Sequence, residues 1–287
     1  MSAVAGSRLT KLIGGLEANF LPIIFATTLL GLYAHTLGSG FSGRALPYFL
    51  LSGLIGFGVG DLALYQAFPR IGSRLSMILV HCLAAPLAAG VEWFWLDTGL
   101  SIFQVSSSLV ILLGVAIALA PREHLHIPRN VLVIGICCGV IGAVGQGMGS
   151  VVSRKAYAIA AAAGEEIDGL TAAYQRIWGG VLFAALPYLI HRWHNANPAR
   201  LPFRERMRPA WKWLIANATI GPAIGVGFMQ FALAKAPTGI VLPIIALAPL
   251  TIIPFSKRFE GEQPTARSII GGAIAVAGVV GLRFSLE

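Results

Sequence analysis

The sequence predicts an all-α integral membrane protein with about nine transmembrane helices. Of its 287 residues, 56% are hydrophobic and only 11% are charged, whereas a soluble domain carries about 25% charged residues. Glycine (34) and proline (16) are abundant, as they are in membrane helices. Nine apolar segments are long enough to cross a bilayer, which takes about 20 residues. Segments of that length are too long for barrel strands, so helices are predicted.

The nine predicted helices follow one another with short connections, apart from the longer connection at 191–210. A membrane-spanning segment must satisfy its own backbone polar groups, and helices do so within one segment. No segment resembles a soluble domain. The predicted helices cover approximately 17–38, 46–68, 74–96, 101–120, 131–152, 169–190, 211–234, 238–256 and 268–284.

The basic residues predict an orientation rather than a nucleic-acid partner. The net charge is +9, but the sequence has no basic stripe with interleaved aromatic residues, so we expect no nucleic-acid binding. Of the 21 Lys and Arg residues, fifteen fall in connections on one side of the bilayer, five fall on the other side, and Arg176 lies inside a span. The positive-inside rule predicts a cytoplasmic N-terminus and an external C-terminus.

An internal repeat relates the two halves of the chain. The segment that begins at Gly58-Val59-Gly60 aligns without gaps with the segment that begins at Gly225-Val226-Gly227, at an offset of 167. The first half contains four of the predicted helices and the second half contains five. The stretch GSRLTKL at 6–12 resembles GSVVSRK at 149–155, the end of the fifth helix. We therefore expect the first repeat to lack its first helix.

The second half carries a recognisable pattern. An Ala-rich helix ends in AKAPTG at 234–239, the next span contains LAP at 247–249, a corner EGEQPT follows at 260–265, and the last span contains Gly271 and Gly278. This pattern resembles the EamA repeat of the drug/metabolite transporter superfamily. The resemblance implies two repeats of opposite orientation around a central cavity, which is a general transporter device. It also implies export of amino acids, other metabolites or drugs.

The resemblance predicts a first repeat at 1–120 and a second repeat at 129–287. The first copy is degenerate, because Ser107 stands at the position of the first glycine of the final span. The family also implies ten helices with both ends in the cytoplasm, and its orientation would put the basic connection at 191–212 outside. Gln146 stands where the family usually has a tryptophan.

The sequence contains no motif of a known enzyme class. Gly-x-Ser-x-Gly, His-Glu-x-x-His and the P-loop are absent. The histidines and cysteines have no metal-site spacing. We therefore predict no catalytic residues, no cofactor and no metal, and we expect any pumping to draw on an ion gradient.

Ionisable residues inside a span are costly, so each one is a candidate functional residue. Asp61 lies about 22 Å into its span from the sparsely charged face, and His81 lies about 10 Å into the next span from the basic face. The two can share a level, and a carboxylate near an imidazole is suited to proton coupling. Alternatively, Asp61 caps a kink at Gly58 and Gly60, and His81 bonds a neighbouring carbonyl.

Arg176 defines a second candidate group. It lies about 10 Å from the opposite face, beside Tyr174, and Gln146 reaches a similar level. A fixed cation with amide and phenol donors suits a ligand that bears a carboxylate. Alternatively, Arg176 extends to the lipid headgroups or bonds another helix. Asp61 and Arg176 are separated by about 12 Å along the membrane normal, so we expect no direct salt bridge between them. Tyr65 and Gln230 are further pathway candidates.

These observations predict a multi-pass permease of the cell inner (plasma) membrane. We expect it to export a small polar metabolite such as an amino acid or a drug, driven by an ion gradient or by downhill flow. Its expected partners are the lipid bilayer and the small-molecule substrate, and a homodimer is left open. Two alternatives remain at this point: a lipid-carrier flippase, which would need a lateral opening, and a non-transporting membrane scaffold subunit.

Overall fold

The computed structural model describes residues 2–120, 127–194, 205, 207–250 and 265–284. Every regular element in these ranges is helical. The α-helices are α1 (Ser2–Ile13), α2 (Gly15–Thr36), α3 (Leu46–Gly53), α4 (Leu62–Leu96), α5 (Ile102–Leu119), α6 (Arg129–Ala162), α7 (Gly169–His194), α8 (Trp211–Ala218), α9 (Val226–Lys235), α10 (Thr238–Ile245) and α11 (Ala266–Phe284). Two π-helical segments, Leu54–Asp61 and Thr219–Gly225, join α3 to α4 and α8 to α9.

Six helical stretches in these ranges are long and apolar enough to cross a membrane. They confirm the all-α membrane fold class. The predicted span at 169–190 is not among the six; it corresponds to α7, a 26-residue helix with His191, Arg192 and His194 in its last turn. The predicted span at 238–256 lies partly outside the described residues. The six stretches are Gly15–Thr36, Leu46–Leu96, Ile102–Leu119, Arg129–Ala162, Trp211–Lys235 and Ala266–Phe284.

The longest stretch, Leu46–Leu96, holds two of the predicted spans. Its 51 residues would extend about 77 Å as a straight helix, more than twice the roughly 30 Å core of a bilayer. Gly72 interrupts it with φ 75° and ψ 163°, a conformation that glycine adopts without steric cost. The chain therefore changes direction at Gly72 without a loop, between the predicted spans 46–68 and 74–96.

Apolar side chains cover the outside of the helix bundle. Leu32, Phe94, Ile102 and Phe228 are 70%, 87%, 89% and 71% exposed, which suits a surface that contacts lipid. Several polar side chains are instead buried between helices. They include Asn19, Ser52, Glu92, Ser150, Ser153, Gln175, Arg176, Asn217 and Gln230. This distribution matches a protein whose solvent is lipid, because polar groups inside a membrane face the bundle interior.

The N-terminal helix α1 was not among the predicted helices. Its 12 residues reach about 18 Å, too short to cross the hydrocarbon core. Leu9 and Ile13 are buried where α1 packs against α2, α4 and α8. Ser2 Oγ donates a hydrogen bond to Asn217 Oδ1 at 2.7 Å. The stretch at 6–12, which resembles the end of a helix in the second half, is thus itself helical and belongs to the bundle.

The two π-helical segments lie at corresponding positions in the two halves. Applying the offset of 167 to Thr219–Gly225 gives 52–58, which overlaps Leu54–Asp61. Segments of π-helix are rare and occur frequently at functional sites. The first one packs against both α6 and α7. A shared backbone irregularity is consistent with the internal repeat, and it marks the part of each half where a functional site is expected.

Helices α5 and α11 pack closely and run antiparallel. A Cβ on Gly114 would lie 2.6 Å from the Gly271 carbonyl oxygen, and a Cβ on Gly271 would lie 2.6 Å from the Gly114 carbonyl oxygen. At the other end of the contact, a Cβ on Gly278 would lie 2.9 Å from the Ser107 carbonyl oxygen. If Ser107 corresponds to Gly271 and Gly114 to Gly278, the two contacts are equivalent. Small residues allow such close backbone approach in membranes.

This packing predicts opposite effects of the same substitution at adjacent positions. A Cβ at Gly271 would lie 2.5 Å from the Ala118 nitrogen, whereas a Cβ at Gly272 meets nothing within 4 Å. We expect Gly271→Ala to destabilise the protein by about 1–3 kcal/mol through overpacking. We expect Gly272→Ala to be neutral or stabilising by about 0.5–1 kcal/mol, because alanine favours the helix. Unfolding midpoints of both purified variants in detergent test this. Equal midpoints would contradict the close contact.

Candidate functional site

A buried layer of polar groups lies where α3, α6, α7 and α9 meet, and Arg176 of α7 is its charged member. The Arg176 side chain is only 2% exposed. Its guanidinium lies between two glycines, because a Cβ on Gly149 would lie 3.2 Å from Nη2 and a Cβ on Gly56 would lie closer still. The Phe57 ring centroid lies 5.3 Å from Cζ, in a cation–π arrangement. Larger residues at the two glycine positions would displace the guanidinium.

The Arg176 guanidinium is incompletely paired. Its Nε and Nη1 atoms are buried and have no hydrogen-bond partner. No carboxylate oxygen of the described residues lies within 4.0 Å of a guanidinium nitrogen, the distance that defines an ion pair. A buried charge without such partners is strongly unfavourable. The position is therefore suited to an anionic group that is not part of these residues.

Two serines connect the layer across three helices. Ser52 Oγ donates to the Gly149 carbonyl at 2.6 Å and lies 2.8 Å from Ser153 Oγ. Gln230 Nε2 of α9 donates to Ser153 Oγ at 3.0 Å. The Gln230 Oε1 atom is buried and has no partner. These bonds place the Gln230 amide and the neighbourhood of Arg176 in one polar layer.

Tyr157 adds a further unpaired polar atom. Its hydroxyl is buried without a partner, and its ring packs edge-to-face on Phe49 at 5.1 Å between centroids. Tyr157 lies one helix turn after Ser153, the residue that contacts Ser52. Ser52, Ser153 and Tyr157 were not predicted from the sequence. The spacing of Gly149, Ser153 and Tyr157, four residues apart along α6, places them on one helix face and was the available signal.

Asp61 and His81 lie in consecutive elements of the chain, the first π-helical segment and α4. Asp61 ends the first π-helical segment and is half-buried, and His81 of α4 is also half-buried. No hydrogen bond or ion pair joins these two described residues, and none joins Asp61 to Arg176. Asp61 lies five residues after Gly56, which is beside the Arg176 guanidinium, in the same π-helical segment. A role in proton coupling stays a prediction for Asp61 and His81.

Tyr65 belongs to a different network from Arg176. Its hydroxyl accepts a hydrogen bond from Asn217 Nδ2 at 2.5 Å, and Asn217 Oδ1 accepts from Ser2 Oγ. A Cβ on Gly6 of α1 would lie 3.1 Å from the same hydroxyl. These contacts tie α1 to α4 and α8. Tyr65 therefore has a clear packing role in addition to its predicted place on the pathway.

Gln146 and Tyr174 make their described contacts with residues other than Arg176. Gln146 Nε2 contacts Met229 Sδ at 3.7 Å. Tyr174 Oη lies 3.0 Å from His35 Nε2, and its ring packs against Phe41 at 6.0 Å between centroids. Among the described residues no hydrogen bond joins either of these predicted donors to the Arg176 guanidinium, and their place on the pathway stays a prediction.

An ion pair between α4 and α6 lies near the layer, and its hydrogen bonds extend to α9 and α10. Glu92 of α4 is 1% exposed, and its Oε1 accepts from Arg154 Nε at 3.0 Å. Its Oε2 accepts from the Thr238 backbone N–H at 2.6 Å and from the Thr238 hydroxyl, so it caps the start of α10. Arg154 Nη1 also donates to the Leu233 carbonyl at 2.7 Å. The predicted span at 131–152 ended before Arg154, whereas α6 continues to Ala162 and includes it.

The described residues contain no group of three or more His, Cys, Asp or Glu side chains that could hold a metal ion. The chemistry available in the buried layer is that of hydrogen bonds, one guanidinium and the nearby Asp61 carboxyl. Such groups bind and orient a ligand. Their position among membrane-crossing helices makes the layer the candidate site for a solute.

Comparisons with known proteins agree with this architecture. The profile of the EamA-like transporter family matches residues 133–284, which is more than half of the chain. A solved crystal structure is similar with a TM-score of 0.74 at 17% sequence identity, covering 99% of this chain and 92% of the other. That likeness shows the fold alone. No curated protein matches the sequence.

The buried ion pair predicts a coupled loss of stability. We expect Glu92→Gln to cost about 3 kcal/mol, because it leaves the Arg154 charge without its partner. The double variant Glu92→Gln/Arg154→Gln should recover part of that loss, as interacting residues do in a double-mutant cycle. Glu166→Gln, an exposed position, is the matched control. Unfolding midpoints in mixed detergent micelles are compared for Glu92→Gln, Arg154→Gln, the double variant and Glu166→Gln. Additive losses would show that the pair does not couple α4 to α6.

Proposed function

The chain belongs to the EamA-like transporter family, and we propose that it is a permease that exports a small polar metabolite, such as an amino acid or a drug. The observation that carries the proposal is the buried polar layer around Arg176. Its unpaired atoms lie inside a bundle whose outer surface is apolar. A lipid-facing exterior with unsatisfied polar groups in its interior is suited to the passage of a polar solute. We place the protein in the cell inner membrane.

The proposed pathway lies at the interface between two inverted repeats, 1–120 and 129–287. Two observations support this arrangement. The π-helical segments correspond at the offset of 167. When the final span of one half is aligned with that of the other, the contact of Gly114 with Gly271 corresponds to the contact of Gly278 with Ser107. In transporters built this way, the substrate site lies at the interface of the repeats near the bilayer midplane. Arg176 and Gln230 then belong to the substrate pathway, with Gln146, Tyr174 and Tyr65 along it.

An ion gradient or downhill flow would supply the energy, because the sequence has no P-loop. Within this proposal, Asp61 and His81 are the ion-coupling residues. Both are half-buried on adjoining segments of the chain. Asp61 ends the π-helical segment whose Gly56 lies beside the Arg176 guanidinium, so a change in its charge acts next to the substrate layer. That link gives a route by which proton binding and solute binding influence each other.

A growth-tolerance panel tests export and the role of Asp61 together. Cells that express the chain or its Asp61→Asn variant are challenged with toxic concentrations of amino acids, their analogues and common drugs. We expect wild-type cells to tolerate a few related compounds. We expect the variant to lose concentrative export while keeping downhill exchange in vesicles, because its side chain no longer changes charge.

The matched control is Asp97→Asn, an exposed residue with φ 51° just after α4. Asparagine tolerates that conformation, so its tolerance profile should equal that of the wild type. Absence of tolerance to every compound, despite confirmed insertion in the membrane, would contradict the proposed export. Tolerance that Asp61→Asn leaves unchanged would contradict the coupling role alone.

A further inference from the structure

A second set of unpaired polar groups belongs to α2 and the first π-helical segment. The Asn19 side chain of α2 is 1% exposed, and neither its Nδ2 donor nor its Oδ1 acceptor has a hydrogen-bond partner. Among the described residues, no hydrogen bond or ion pair holds the Asp61 carboxylate. Buried polar groups are normally hydrogen-bonded, so a buried amide with both of its polar atoms unpaired requires an explanation.

The packing of α2 against α4 places Asn19 and Asp61 at one level. A Cβ on Gly15, the first residue of α2, would lie 3.1 Å from the Tyr65 carbonyl oxygen. The two helices run antiparallel, because only a short connection joins the end of α2 to the start of α3. Asn19 follows Gly15 by one turn on the same face, and Asp61 precedes Tyr65 by one turn. Both residues therefore lie about 6 Å from the Gly15–Tyr65 contact, in the same direction along the helix axes.

A backbone carbonyl of α2 adds a third oxygen atom at this level. Pro22 lies inside α2 and is buried. Because proline has no N–H, the Ala18 carbonyl lacks the hydrogen bond that the fourth residue after it donates in a regular helix. Ala18 is 0% exposed and adjoins Asn19 in the chain. In membrane transporters, backbone carbonyls without their helical partners coordinate Na⁺.

We infer that the Asp61 carboxylate, Asn19 Oδ1 and the Ala18 carbonyl bind a sodium ion between α2 and the first π-helical segment. The inference rests on the proposed function, and it names an ion that Asp61 holds in addition to a proton. Carboxylate, amide and carbonyl oxygens are the ligands that hard cations prefer. Water completes the coordination, since Asp61 is half-buried rather than fully buried.

The charge of this site favours a monovalent cation. The three oxygen ligands include one carboxylate, so a sodium ion makes the site neutral, whereas a divalent ion would leave a net positive charge inside the bundle. Such a charge is costly within a membrane. Arg70, a basic residue that follows on α4, donates through Nη1 to the Gln66 carbonyl at 2.5 Å and to Gln66 Oε1 at 3.1 Å. Its charge is therefore held at Gln66 rather than at Asp61.

Sodium-dependent stabilisation of the purified full chain tests the site without any transported solute. Unfolding midpoints are measured in detergent while NaCl or KCl replaces choline chloride at constant ionic strength and pH. We expect a saturable rise of roughly 5 °C in NaCl, because a ligand that binds only the folded state stabilises it by mass action. Binding of radioactive sodium to the same preparation gives the affinity. An equal rise in KCl would contradict a site for sodium.

The variant Asn19→Leu distinguishes a ligand from a structural residue. Leucine has a similar branched shape and removes both unpaired amide atoms. We expect the variant to lose the response to sodium and to unfold in choline chloride at a midpoint equal to or above that of the wild type, because its unpaired buried polar group is gone. A purely structural asparagine would instead give a lower midpoint in choline chloride. Asp61→Asn should also lose the response to sodium.

The variant Pro22→Ala tests the carbonyl without changing a side chain that binds the ion. Alanine supplies the missing N–H, which then occupies the Ala18 carbonyl within the helix. We expect the affinity for sodium to fall by about tenfold, comparable to the loss of one hydrogen bond to a charged group. Pro187→Ala, which removes a proline from inside α7, is the matched control and should leave the affinity unchanged.

The outcomes separate this inference from the proposed function. If sodium neither binds nor raises the midpoint, or if Asn19→Leu keeps the full response, the cation site is wrong. The permease function then still stands on the tolerance panel. If sodium binds as expected but the panel shows no export of any compound, the permease proposal fails and the cation site remains.

Discussion

Lipid offers no hydrogen bonds, and this constraint organises the whole chain. Each backbone amide in the hydrocarbon must be satisfied within its own helix, so the described elements are helices. The side chains are arranged in the opposite way to those of a soluble protein, with apolar groups outside and polar groups inside. Phe94 and Ile102 point outward, whereas the polar groups of Arg176 and Gln230 are held inside. Leaving such groups unpaired away from water costs free energy, and for this reason we assign a binding function to the buried layer.

Close approach of backbones replaces the hydrophobic effect as the source of packing specificity. Apolar side chains gain little from contact with one another when lipid is equally apolar. The contact between Gly114 and Gly271 is accordingly made by main-chain atoms. The same absence of side chains serves a second purpose at Gly56 and Gly149. There, the space that would hold two Cβ atoms holds a guanidinium.

The fold was largely predictable because hydropathy is a local property of sequence. A run of about 20 apolar residues identifies a membrane helix without knowledge of its neighbours, and Gly72 marks a boundary that the pattern had already separated. The helix α1 was missed because twelve amphipathic residues carry no such signal. The burial of Arg176 was predictable for the same local reason as the spans. Its companions Ser52 and Ser153 were not, because they are 101 positions apart and only the packing of helices brings them together.

The joint at Gly72 has a mechanical consequence. Asp61 lies 11 residues before Gly72 and His81 lies nine residues after it. Helical segments of about 16 Å and 14 Å therefore separate the two residues from the kink. A rotation of about 10° at Gly72 would move Asp61 or His81 by roughly 3 Å, which is the length of a hydrogen bond. The distance between the carboxyl and the imidazole therefore depends on the backbone conformation at Gly72. A tilt of the span before or after Gly72 therefore changes this distance directly, because no loop connects the two spans.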